Sequence, residues 1–183
     1  MTDKDLAISA VMDFLNDKSK RILLVRGYDN DAKVRVVLGC LERKFKKGII
    51  RTSSMAYASD HINSAFNKKL LPEAIKSTTN YDLGRMLVNI SSYATHTANN
   101  PKGNETTYTV FHPVQLVLDD PKRYSNFLNE LNLTNSSKII LITTNEWSIK
   151  KWDIENYVDE VFFYSVENDN PQIMTNLRNN GAI

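Results

Sequence analysis

The stretch Arg21-Ile22-Leu23-Leu24-Val25-Arg26-Gly27-Tyr28-Asp29-Asn30-Asp31-Ala32-Lys33-Val34 decides the fold. Its opening, Ile22 to Val25, is a continuous run of branched apolar residues, the composition of a strand covered on both faces. Gly27 to Asp31 supplies turn residues. Beyond them Val34, Val37, Leu38, Leu41 and Phe45 recur on one face of a helix. Lys46-Lys47-Gly48 ends that helix, and Gly48-Ile49-Ile50-Arg51-Thr52 restarts extended chain. The result is a βαβ unit, whose crossover is expected to be right-handed.

The same alternation extends outward in both directions. Residues 3–17 place Leu6, Ala10, Val11, Phe14 and Leu15 at helical spacing, with Thr2 or Asp3 as cap. Residues 59–76 read as a further helix capped by Ser59 or Asp60 and interrupted by Pro72. From Tyr81 to Tyr93 two periods fit: Met86, Val88 and Ile90 alternate as a strand, while Leu83, Met86, Leu87, Ile90 and Ala94 satisfy a helix. Both stay open. The polar stretch from Thr95 to Glu105 has the Pro and Gly content of a mobile loop. Strands are expected over 107–112, 138–143 and 160–165, with helices between them. Asp120 before Pro121 and Asn170 before Pro171 mark two helix starts, and Gly181 marks a helix end. Strands alternating with helices predict an α/β fold with a mostly parallel central sheet of about five strands and helices on both faces.

Composition bounds the rest. With 183 residues, the chain is expected to form a single domain, residues 1–183. An apolar content of 42% and a charged content of 24% are ordinary for a globular chain, and no apolar run reaches the roughly 20 residues that span a bilayer. The N-terminal MTDKDLAISAVMDFL lacks the basic region of a signal peptide, so a cytoplasmic location and no membrane partner are expected. Cys40, the lone cysteine, lies in an apolar segment and reads as a small core residue. A net charge of +2 does not by itself imply nucleic acid. Arg35, Arg43, Lys44, Lys46, Lys47 and Arg51 crowd one stretch, which is either a solvated helix end or a place for phosphate groups. His61, His96 and His112 lack the spacing of metal ligands, and no GxSxG elbow is present. Trp147 and Trp152 read as packing residues, or as a partner surface beside Lys150 and Lys151.

The opening stretch resembles the Walker A loop of the P-loop NTPase superfamily, GxxxxGK[ST], in its AAA/RecA-like form. Gly27 is followed by four residues, then Ala32 in the place of the second glycine, Lys33, and Val34 in the place of Ser or Thr. A strand precedes it and a helix follows, the context the motif requires. The motif is degenerate: Ala32 adds a Cβ where backbone should wrap phosphate, and Val34 has no hydroxyl for magnesium. Asp29 and Asp31 add negative charge to the loop. The plain structural alternative is a turn in which Asp29, Asn30 or Asp31 caps the helix and Lys33 is exposed.

In the order that resemblance implies, YTVFHP takes the place of the Walker B strand, but it ends in His112 and Pro113. Asp119 and Asp120, after VQLVL, are the candidates for the metal role, and Asp120 is also the simplest cap for the next helix. KIILITTN resembles the sensor strand, with Asn145 behind Thr143 and Thr144. The resemblance implies a three-layer P-loop-like sandwich with a vestigial or divergent nucleotide site formed by Gly27, Ala32, Lys33, Val34 and Asn145. The function expected is a non-catalytic interaction or accessory module without a cofactor. A protein partner is expected, with nucleic acid as a second partner class and a nucleic-acid or phage-related assembly as the setting. The alternative is an active but divergent nucleoside-triphosphatase using Mg-ATP or GTP.

Overall fold

The computed structural model of the protein describes residues 1–95, 99–114, 120–144, 146–149 and 152–183. In chain order they form α1 (Asp3–Asn16), β1 (Ile22–Gly27), α2 (Asn30–Lys44), β2 (Lys47–Thr52), a 3-10 turn (Met55–Tyr57) and α3 (Ala58–Phe66). Next come β3 (Asn80–Leu83), β4 (Met86–Ser92), β5 (Tyr108–Phe111), α4 (Pro121–Leu133) and β6 (Lys138–Ile142). The short α5 (Glu146–Ile149), a second 3-10 turn (Ile154–Tyr157), β7 (Glu160–Tyr164) and α6 (Pro171–Asn179) complete the chain.

The strands make one sheet in the order β3-β4-β2-β5-β6-β1-β7, parallel throughout except for the antiparallel β3–β4 pair. The expected fold class, α/β with a mostly parallel sheet, is therefore observed. The expected count of about five strands is corrected to seven among the described residues. Both additional strands come from residues 80–92, where two periods fitted the sequence. Gly84, at a φ of 60°, turns the chain between β3 and β4, a conformation that favours glycine. That turn settles the period, because β4 can then lie beside β2 with Val88 and Ile90 fully buried.

Alternate residues of β1 enter different clusters, as the period of a strand dictates. Leu23 and Val25 join a core with Ala7, Val11 and Phe14 of α1 and Val34, Val37 and Leu41 of α2. Leu24 joins a second core with Phe127 and Leu131 of α4 and Phe111 of β5. On α1 it is Ala7 rather than Leu6 that turns inward, and Leu6 stays about half exposed at 49%. Cys40 is buried on α2, and burial raises its thiol pKa.

The ends of the helices follow local chemistry. Thr2 and Asp5 form a reciprocal capping box on α1, and Asp120 accepts from the Lys122 and Arg123 N–H groups at 2.8 and 3.1 Å on α4. The helix expected over 59–76 is shorter than its pattern. It begins at Ala58, takes no side-chain cap, and stops at Phe66 where Asn67 turns left-handed at a φ of 47°. Arg51 departs from the solvated basic stretch: it is buried, and it bonds Glu130 of α4 at 2.9 Å. Arg43, Lys44, Lys46 and Lys47 remain exposed. Among the described residues no helix is long and apolar enough to cross a membrane.

Candidate functional site

The carboxyl ends of β1, β5 and β6 meet the first turns of α2 and α3, where ligands bind in sheets of this kind. Gly27 ends β1 at a φ of 133°, and a Cβ there would stand 2.5 Å from the Tyr164 carbonyl oxygen of β7. Only glycine lets the two strand ends approach this closely. Tyr28 and Asp29 alone connect β1 to α2, since the helix already begins at Asn30. Ala32, Lys33 and Val34 therefore sit in the first turns of the helix, not in an open loop.

Asp29 caps that helix: its Oδ1 accepts the Ala32 N–H at 2.9 Å, and its carbonyl accepts the Lys33 N–H at 3.1 Å. Asp31 accepts from Ser64 Oγ of α3 at 3.0 Å. Val34 packs into the core. The alternative in which Lys33 is exposed is corrected by its burial, which is complete. Its Nζ donates to the Gly27 carbonyl and lies 3.4 Å from Thr143 Oγ1 at the end of β6. Burial lowers the Lys33 pKa to about 8, while Glu146 and Asp29 pull it upward.

Glu146 is the residue that sequence reasoning missed. Its Oε1 accepts the Gly27 N–H at 2.8 Å and the Thr143 hydroxyl at 3.0 Å. Its Oε2 accepts from Arg26 Nε at 3.0 Å and Nη2 at 2.8 Å. Arg26 reaches Glu155 as well, through Nη1 at 2.8 Å. Burial opposes the Arg26 charge, but the bonds to Glu146 and Glu155 outweigh it and raise the pKa. An internal carboxylate thus lies against the end of β1 beside two cations. The sequence offered only its position after the sensor-like strand; the need for a counter-charge follows from the burial of Lys33, which the structure supplies.

A cleft of about 430 Å³ opens beside this network, lined among others by Asn30, Asp31, His61, Ser64, His112 and Thr144. The His61 and His112 rings meet edge to face with centroids 5.3 Å apart. Burial, with the nearby charges of His61 and Lys33, lowers the His112 pKa to about 3, so the ring is neutral at physiological pH. Burial also lowers that of His61, against Asp60 and Asp31. His61 Nδ1 and His112 Nε2 find no hydrogen-bond partner among the described residues.

The structure thus brings Gly27, Ala32, Lys33 and Val34 together with Thr143 and Glu146. Asp120 stands apart in its capping role at the start of α4. Asp119 and Asn145 lie outside the described residues, as do His96, Lys150 and Lys151. Among the described residues no group of three or more His, Cys, Asp or Glu is placed to hold a metal ion. No protein-family model, no curated protein and no solved structure matches this chain.

Proposed function

We propose that this chain is a three-layer module of P-loop NTPase type whose nucleotide site is closed from within, and that it acts without catalysis as an interaction or accessory domain. The observation that carries the proposal is the turn between β1 and α2. An N–H group on either side of it and its lysine are engaged by the chain's own oxygens: Ala32 N–H by Asp29, Gly27 N–H by Glu146, and Lys33 Nζ by the Gly27 carbonyl. A phosphate entering there would displace a carboxylate already held by hydrogen bonds and by Arg26, and would meet Asp29 and Asp31 as like charges. The strand order supports the resemblance on which the proposal rests. β6, the sensor-like strand, lies between β1 and β5, so both partner strands open onto the end of the Walker A-like segment. Partners would be protein, with a nucleic-acid-containing assembly as the wider setting.

The experiment is a thermal-midpoint titration with Mg-ATP and Mg-GTP. A ligand at a hundred times its dissociation constant adds about 2.7 kcal/mol of stability. No shift is expected with either nucleotide. A saturable shift would replace this proposal with the second reading, a divergent NTPase with Lys33 on phosphate, Asp119 or Asp120 on magnesium and Asn145 as sensor. The cleft of about 430 Å³ lined by Asn30, Asp31 and Thr144 favours that alternative.

A further inference from the structure

The sheet has two edges, and they are built differently. At one end β3 is a strand of four residues, Asn80–Leu83, with Asp82 exposed in it, and short charged strands of this kind discourage pairing with another chain. At the other end β7 reads Glu160-Val161-Phe162-Phe163-Tyr164. It carries no lysine or proline, and its one charge, Glu160, is paired with Lys20 at 3.0 Å. Val161 and Phe163 are 40% and 44% exposed. They share one face, because alternate residues of a strand do.

The direction of the β7 main-chain groups follows from its neighbours. Ile139 and Thr143 donate to the Arg21 and Val25 carbonyls, so the odd-numbered residues of β1 turn toward β6 and the even-numbered ones toward β7. In the parallel register Leu24↔Val161 and Arg26↔Phe163, each even residue of β1 bonds the two residues flanking its partner. Glu160, Phe162 and Tyr164 thus face β1. Val161 and Phe163 present their N–H and C=O groups to the edge that is open among the described residues. The Phe163 carbonyl accepts the Ser165 N–H at 3.1 Å and keeps a second lone pair.

We infer that the β7 edge pairs with β7 of a second copy of this chain, antiparallel about a twofold axis through Phe162, to make one continuous sheet across a dimer. The segment is self-complementary in that arrangement. Val161 of each copy stands opposite Phe163 of the other, with their outward main-chain groups meeting as hydrogen-bonded pairs. The same register sets Glu160 against Tyr164, so no like charges face each other, and the exposed apolar side chains form cross-strand pairs on one face. The contact is short, so dimerisation is expected to be reversible and dependent on concentration. This inference goes beyond the proposed function and does not rest on the nucleotide site.

The test is sedimentation velocity of the full chain over a concentration series, combined with hydrogen exchange at single amides. A reversible dimer is expected, with the Val161 and Phe163 amides becoming protected as its fraction rises. Val161→Lys with Phe163→Lys should abolish the dimer while circular dichroism stays that of the parent and the melting transition falls only by the lost edge-to-face contact of Phe163 with Tyr28. If that variant fails to fold, Val161→Lys alone takes its place, since it sets a lysine against Phe163 in both halves of the contact. A chain that is monomeric at every concentration would overturn the inference. So would a dimer that survives the substitution, or one that leaves the two amides unprotected. Nucleotide binding would overturn the proposed function and leave this pairing untouched.

Discussion

Lys33 sits without solvent contact at the start of α2, and its charge opposes folding. Between its folded pKa of about 8 and the ordinary lysine value of 10.5, the unfolded chain holds a proton that the folded chain has released. Stability therefore rises with pH across that window, by about 3 kcal/mol at most from this one group. Lys33→Met removes the titration. Urea unfolding of parent and variant at pH 7 and pH 10 should show the parent gaining on the variant as pH rises, and a constant difference would mean that Lys33 is not desolvated. Glu146→Ala removes the acceptor of Arg26 Nε and Nη2, of the Gly27 N–H and of the shorter Thr143 hydroxyl bond, and should destabilise by about 3 kcal/mol. A loss below about 0.5 kcal/mol, the range of plain surface substitutions, would mean that the carboxylate is not held as described. At this scale the sequence was half legible. The spacing from Gly27 to Lys33 drew attention to the right turn, but Lys33 was free to be exposed, and nothing local said that Glu146, from a distant element, would fill its surroundings.

Each element shows where local pattern suffices and where packing decides. Asp120→Ala should cost about 1 kcal/mol, the value of a helix cap, and should leave nucleotide response unchanged. A loss of a magnesium-dependent property instead would move Asp120 from its capping role into a site. Glu130→Ala in α4 uncouples that helix from β2, because Arg51 would be left buried without its carboxylate. A loss of about 3–5 kcal/mol is expected in equilibrium unfolding. β1, α2, β2 and β6 were legible because their apolar runs admit one period only. β3 and β4 were not, since Met86, Val88 and Ile90 fit a strand while Leu83, Met86, Leu87 and Ile90 fit a helix. A left-handed turn at Gly84 and the neighbouring β2 chose between them. The helix from Ala58 was overdrawn because its apolar spacing continues past Phe66, where Asn67 ends it.

For the whole molecule, the order of the strands matters more than any one motif. The order β5-β6-β1-β7 brings the ends of the three motif-bearing segments into one region, and an internal carboxylate takes the place beside Gly27 and Lys33. On the proposed account, restoring the missing motif residues is not sufficient. Ala32→Gly with Val34→Thr should leave Mg-ATP affinity unmeasurable by calorimetry, because the helix still begins at Asn30 and Asp29 still caps it. Micromolar binding by that variant would show the turn to be a phosphate loop lacking only two side chains. The central claim, that the chain's own oxygens occupy this site, is tested most directly by amide NMR at Gly27 during a titration with Mg-ATP. The account predicts a Gly27 amide shifted downfield by its bond to the Glu146 carboxylate, moving when Glu146 is replaced by Ala and unmoved by nucleotide. A Gly27 amide that moves saturably as Mg-ATP is added to the native chain would contradict it.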